Sequence, residues 1–149
     1  MLESLFSEVY TKFKVNFYRK IFSRFETREA SLTAVETICV EVIHALHYPT
    51  INEFAKFVRV SQANAAYKVQ SLIKKGYVEK SRSEEDKREF TLSVTKKFFS
   101  YYGQSSEYVD LVMRRIRERF SQTELKTFEY ILYTISNELM PEINLKKEA

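Results

Sequence analysis

This sequence predicts a mainly helical chain carrying one small β-hairpin, and three observations predict it. Glycine and proline are scarce, two of each in 149 residues, so loops are short and helix dominates. Over most of the length apolar residues recur three to four apart, the period of a helix with one buried face. One stretch breaks that period. Two short runs, Tyr77 to Arg82 and Glu89 to Val94, flank a polar tip from Ser83 to Arg88. In the second run Phe90, Leu92 and Val94 alternate with Glu89, Thr91 and Ser93, as in a half-buried strand.

The first element is a long amphipathic helix with an aromatic stripe. Leu2, Phe6, Val9, Phe13, Phe17, Ile21 and Phe25 keep helical spacing, and Leu5, Tyr10 and Tyr18 widen the face. Thr27 to Ser31 is a polar break. A second helix presents Leu32, Val35, Ile38, Cys39, Val42, Ile43 and Leu46, and Pro49 marks its end. Thr50 then stands as an N-cap with Glu53 at capping-box spacing. The short helix it opens buries Ile51, Phe54, Ala55 and Val58. An Arg59-Val60 link leads to Ser61, a second cap. In the helix beyond it Ala65, Val69 and Leu72 share one face with Ile73 beside them, and Gly76 ends it, since glycine adopts a left-handed conformation at least cost. Two short helices joined by a tight link outline a helix-turn-helix; the hairpin behind them makes it a winged helix. Thr95 is placed to cap a long helix reaching to about Phe120, with Val109, Val112, Met113, Ile116 and Phe120 on one face and a bend at Gly103, Ser105 and Ser106. Ser121 and Glu124 form a fresh capping box. The last helix carries Leu125, Phe128, Ile131, Leu132, Ile135 and Leu139 and stops at Pro141.

The expected organisation is a single domain over residues 1–149, with a winged-helix region at 33–95 and a helical region at 1–25 and 96–140. Hydrophobic content of 44% and charged content of 30% argue against a disordered or membrane-embedded chain. No apolar run reaches the roughly 18 residues of a membrane span. The start, M-L-E-S-L-F-S-E-V-Y, lacks the basic and apolar blocks of a signal peptide. Cys39 is the one cysteine, so no internal disulfide forms. A cytoplasmic protein is expected. The net charge of +4 permits an anionic partner without demanding one.

If Ala65, Val69 and Leu72 face inward, Ala63, Asn64, Tyr67, Lys68, Gln70 and Ser71 face outward. A helix fits the major groove of DNA, where the amides of Asn64 and Gln70 can pair with adenine edges and Ala63 can touch a thymine methyl. Lys68 and Lys74 suit phosphates, which position without specifying. The plainer alternative, a solvated helix face, is disfavoured by the adjoining wing. Other constellations are weak. His44 and His47 lie three apart with Glu41 a turn back, fewer ligands than a metal site requires, and histidines at a helix C-terminus suit its dipole. Cys39 sits in an apolar run as a packed thiol. No nucleophile arrangement or phosphate-binding glycine loop is visible, so no enzyme, metal or cofactor is expected.

The order of elements and the local residues together resemble the MarR family of transcription regulators. Val60-Ser61-Gln62 opens the second helix of the pair, Leu72 to Gly76 closes it, and Asp86-Lys87-Arg88 leads to Leu92-Ser93-Val94-Thr95. The resemblance covers nearly the whole chain. It departs at Phe98, where the family often has glycine, and at Tyr67, where it often has arginine. It implies a homodimer that binds double-stranded DNA, with Arg88 entering the minor groove and Asp86 orienting its guanidinium. The implied DNA-binding set is Ser61, Gln62, Ala63, Asn64, Tyr67, Lys68, Gln70, Ser71, Lys74, Arg82, Asp86, Lys87 and Arg88. The implied dimer contacts are Phe6, Phe13, Phe17, Phe128, Ile131, Leu132 and Ile135. Family sensors bind small-molecule effectors, and the stripe from Phe6 to Phe25 is a candidate lining for one, although such stripes are more often dimer core. Residues 50–95 carry nine basic and six acidic side chains, a modest footprint that argues for a dimer supplying two. A repressor acting on a palindromic operator is the expected function. A winged-helix module that binds another protein is the alternative, and a small enzyme ranks third.

Overall fold

A computed structural model describes residues 1–26, 32–101 and 105–145. The break from Thr27 to Ser31, Gly103, and the side chains of Phe25 and Ser105 lie outside the described residues. The elements are α1 (Leu2–Glu26), α2 (Ala34–Ala45), α3 (Ile51–Val58), α4 (Gln62–Lys74), β1 (Val78–Arg82), β2 (Phe90–Val94), α5 (Lys96–Tyr101), α6 (Ser105–Arg119) and α7 (Gln122–Thr134), with a π-helical turn at Ile135–Leu139. Where the sequence suggested one helix from Thr95 to Phe120, there are two, α5 and α6. The chain divides into two compact units, a helical one built from residues 1–28 and 104–144 and a winged one built from residues 29–103 with the last five residues.

In the winged unit α2 packs on α4 and β2, and α3 packs on α4. Phe54, Val40, Ile43, Ala65, Val69, Leu72, Tyr77, Leu92 and Phe98 form a core almost sealed from water. α2, α3 and α4 each start on a side-chain cap. Thr33 and Glu36 make a reciprocal capping box, and Thr50 and Ser61 accept from the backbone N–H three residues on. These caps satisfy donors that a helix start otherwise leaves open. The C-terminus of α4 closes as a Schellman turn. Gly76 sits at φ +84, its N–H donates to the Ile73 carbonyl, and the Tyr77 N–H donates to the Leu72 carbonyl, both at 3.0 Å.

Three expectations for this unit are corrected. Val35 and Ile38 are exposed at 51% and 61%; α2 buries Glu36, Thr37, Cys39, Val40 and Ile43 instead. A helix surrounded on one side only cannot bury every apolar position along its length. Phe90 is exposed beneath Lys80 and Arg82, whose cations lie 5.0 and 5.7 Å from its ring centre, because it pairs with Arg82 at the far end of the ladder, beyond the reach of the core. The Thr95 hydroxyl does not cap α5; it donates to the Gly76 carbonyl at 2.6 Å, fastening the foot of the hairpin to the end of α4.

The hairpin is antiparallel, with Val78 opposite Val94 and Arg82 opposite Phe90. The segment before α3 adds to its outer edge. Thr50 bridges Thr91, and the Leu92 N–H donates to the Pro49 carbonyl at 2.8 Å. His47 and Tyr48, both at positive φ, turn the chain toward that edge.

In the helical unit α1 packs on α6, with Phe13 edge-on to Tyr108 at 5.6 Å and Lys20 Nζ 4.0 Å from Glu107. Ser121 and Glu124 make the expected capping box at the start of α7. Between α6 and α7 lies an open groove of about 490 Å³, whose apolar lining includes Met113, Ile116, Leu125, Phe128 and Leu132. No residue of α7 is buried.

Candidate nucleic-acid interface

At 3.6 residues per turn, Ala63, Tyr67, Gln70 and Lys74 fall in one stripe opposite the buried Ala65, Val69 and Leu72. All four are exposed, as are Ser61, Gln62 and Asn64 at the start of α4, and Tyr67 reaches 77% exposure. Two residues expected to face outward are half-buried, Lys68 and Ser71. The Ser71 hydroxyl donates to Glu36 Oε2 at 2.9 Å, so it is committed to the protein's own frame.

Glu36 is the acceptor that holds α4 in place. Its carboxylate, only 9% exposed, accepts from Ser71, from Lys75 Nζ at 2.9 Å and from the Thr33 N–H at 3.3 Å. Desolvation pushes the carboxyl's pKa up, but the hydrogen bonds from Lys75, Ser71 and Thr33 outweigh it and hold the group below its ordinary value. The Thr33-to-Glu36 spacing was readable as a capping box; the cross-link to α4 spans 35 residues and left no local signal. Lys97 was also missed. Its ammonium donates to the Lys75 carbonyl at 2.8 Å and covers the Tyr77 ring at 4.7 Å, closing the end of α4 beside the hairpin.

The hairpin tip holds Arg82, Asp86, Lys87 and Arg88, all exposed. Asp86 does not orient the Arg88 guanidinium. Its Oδ1 accepts from the Arg88 backbone N–H at 2.9 Å, the local closure that a short carboxylate two residues upstream makes best. Ser83 adds to it by accepting from the N–H groups of Glu85 and Asp86. The tip is therefore ordered by its own backbone while the Arg88 side chain stays in water.

The remaining polar groups of α2 lie elsewhere. His44, in the last turn of α2, packs against Phe98 and Phe99 with ring centres 5.2 and 5.4 Å away, and burial and then the neighbouring His47 lower its pKa. Burial pushes the Cys39 thiol up, which makes it a packing group. Glu41 has a buried oxygen without a hydrogen-bond partner, and desolvation pushes its carboxyl up to about 7. Among the described residues no group of three or more His, Cys, Asp or Glu side chains is placed to hold a metal, and no helix is long and apolar enough to cross a membrane.

A capped helix with a polar outer stripe, preceded by a second short helix and followed by an ordered two-stranded wing, is a winged helix-turn-helix. Residues 32–90 match the MarR family model. The match spans α2 to the start of β2 and includes Val60 to Gln62, Leu72 to Gly76 and Asp86 to Arg88, while Leu92 to Thr95 lie beyond it. No curated protein matches the chain. Solved structures similar to it extend the likeness beyond the winged unit. A MepR mutant from a multidrug-resistant S. aureus clinical isolate is 15% identical and superposes with a TM-score of 0.64, over 94% of this chain and 98% of that one. A MarR-family protein from Bacillus stearothermophilus is 16% identical, with a TM-score of 0.62 over 93% and 92%. Streptococcus pneumoniae FabT, solved in complex with DNA, is 19% identical, with a TM-score of 0.58 over 93% and 97%. At these identities the likeness establishes a MarR-type fold.

Proposed function

We propose that this chain is a cytoplasmic, sequence-specific DNA-binding transcription regulator, a repressor that binds a palindromic operator as a homodimer. The observation that carries the reading is the exposed stripe Ala63, Tyr67, Gln70 and Lys74 on a helix whose orientation is locked by Glu36, beside a wing that offers Arg88 to solvent. A residue held on a rigid element reads a groove at lower entropic cost. FabT with DNA and a MepR variant from S. aureus bound to an oligodeoxyribonucleotide support it by fold. Ser61, Gln62, Asn64 and Tyr67 complete the reading helix; Lys68, Lys74, Arg82 and Lys87 serve phosphates. The Arg88 guanidinium enters the minor groove, where the potential is most negative in narrow tracts. The apolar side chains left open on α1 and α7, among them Phe6, Phe128, Ile131 and Leu132, support a second copy as the partner. A small molecule that changes the separation of the two reading helices releases the operator.

The target is then an inverted repeat with half-site centres about 10 bp, one helical turn, apart. One half-site offers too few contacts, each discriminating by about 1–3 kcal/mol, to separate an operator from a genome of competitors. In a titration over a salt series, log affinity falls by about 0.9 per phosphate neutralised, and Lys74→Ala lowers that slope. Selection of a single asymmetric half-site, or affinity no better than for random duplex at physiological salt, overturns the reading. One observation favours a second reading, a module that binds another protein. The wing carries Glu79, Glu84, Glu85, Asp86 and Glu89 against Lys80, Arg82, Lys87 and Arg88, an acidic balance that suits a basic protein partner better than DNA. The same salt series separates the two.

A further inference from the structure

We infer that α4 selects A·T base pairs at the centre of each half-site, with Gln70 on an adenine and the Ala63 methyl against a thymine; this rests on the DNA-binding reading above. The strongest reader of guanine is a cation presented to its O6 and N7, most often arginine, whereas a glutamine or asparagine amide pairs with the N6 and N7 of adenine. No arginine occurs in α4, Gln62–Lys74. Its cations are placed away from base edges. Lys68 is half-buried on the α2 side, close enough for its charge to act on the Cys39 thiol. Lys75, just past the helix, is bound to Glu36 at 2.9 Å. Lys74 lies on the exposed stripe but in the last turn, one turn further than Gln70 from the helix N-terminus that leads into the groove.

What remains on the outward stripe ahead of Lys74 is a methyl at Ala63, a phenol ring at Tyr67 and an amide at Gln70, flanked by the exposed amides of Gln62 and Asn64. Ser71, the other polar group on that side, donates to Glu36. The available groups match adenine edges and thymine methyls, and none offers the forked cation that guanine prefers. The Glu36 lock fixes the rotation of α4, so this set cannot be exchanged for Lys68 by rolling the helix.

The test selects duplexes from a random library with the full-length protein at physiological salt, then edits the enriched half-site. A·T pairs are expected at its centre. Replacing the contacted adenine by 7-deaza-adenine, which lacks the N7 acceptor, lowers affinity about 10-fold for the parent protein and by less than about 2-fold for Gln70→Ala. Gln70→Arg shifts the enriched base at that position to guanine. Circular dichroism verifies the fold of both variants, which change an exposed side chain. Enriched half-sites with G·C pairs at their centre, or equal sensitivity of parent and Gln70→Ala to the deaza base, overturn this inference and leave the regulator reading standing. No enrichment over random DNA overturns both.

Discussion

The winged unit closes an apolar core within one chain; the helical unit leaves most of its apolar side chains open. Phe54, Ala65, Leu72, Tyr77 and Leu92 have no measurable exposure, because three short helices and a hairpin converge on them from several directions. In the helical unit the same kinds of residue lie open. Phe6 is 60% exposed and Leu139 65%, although their spacing is as regular as any in the winged unit. A helix buries a stripe only where another element covers it, and α1 and α7 have more apolar surface than α6 can cover. The difference teaches that regular apolar spacing marks a face able to be buried, while only a covering element buries it.

Four measurements test that contrast, the first three on stability or assembly and the last on binding. Phe54→Ala leaves a cavity in a closed core and should cost about 3–5 kcal/mol in chemical denaturation. A cost below about 1 kcal/mol would mean that the winged core is looser than its burial indicates. Phe13→Asp places an unpaired charge on α1 beside Tyr108, and Ile131→Asp places one in the open stripe of α7, each at a cost of about 3 kcal/mol or more to a dimer. Sedimentation should then show monomers that retain helical circular dichroism. An intact dimer for both variants would remove α1 and α7 from the interface.

In the winged unit one oxygen of the Glu41 carboxyl is buried without a hydrogen-bond partner. Folded, it keeps its proton up to about 7; unfolded, it ionises in the ordinary carboxylate range. Its folded pKa is raised, so stability is full below that range and declines as pH rises through about 7. Glu41→Gln should flatten this decline, leaving urea midpoints at about pH 5 nearly unchanged and raising those at about pH 8. Identical pH profiles for parent and variant would show that the site is solvated. The smallest effect on stability belongs to Arg88→Ala, within about 0.5 kcal/mol because the side chain is exposed and only its backbone N–H is engaged. Operator affinity at fixed salt should nevertheless fall about 10-fold, the loss of one close charged contact. Unchanged affinity would withdraw the minor-groove role.

Much of this was legible beforehand, for local reasons. Ser61, Thr50, Ser121 with Glu124, and Gly76 act within a few residues of themselves, and the structure places each in the cap or turn its spacing indicated. The same holds for Ala65, Val69 and Leu72, whose period alone gives α4 its inward face. Val35, Ile38 and Phe90 were misread because hydrophobicity marks what can be buried, and only the neighbours decide what is. Ser71 was misread as outward because periodicity cannot see that Glu36 stands across from it.

By itself the sequence determined most of the elements, the caps at Thr50, Ser61 and Ser121 and the winged-helix order, since these depend on backbone conformation and on interactions a few residues apart. Tertiary structure alone decided two things. Glu36 crosses to Ser71 and Lys75 and fixes which side of α4 is free. Pro49 and Thr50 extend the edge of the hairpin. Both join residues dozens of positions apart, and the outcome depends on where the folded chain brings donor and acceptor within about 3 Å, a distance that no spacing along the sequence encodes.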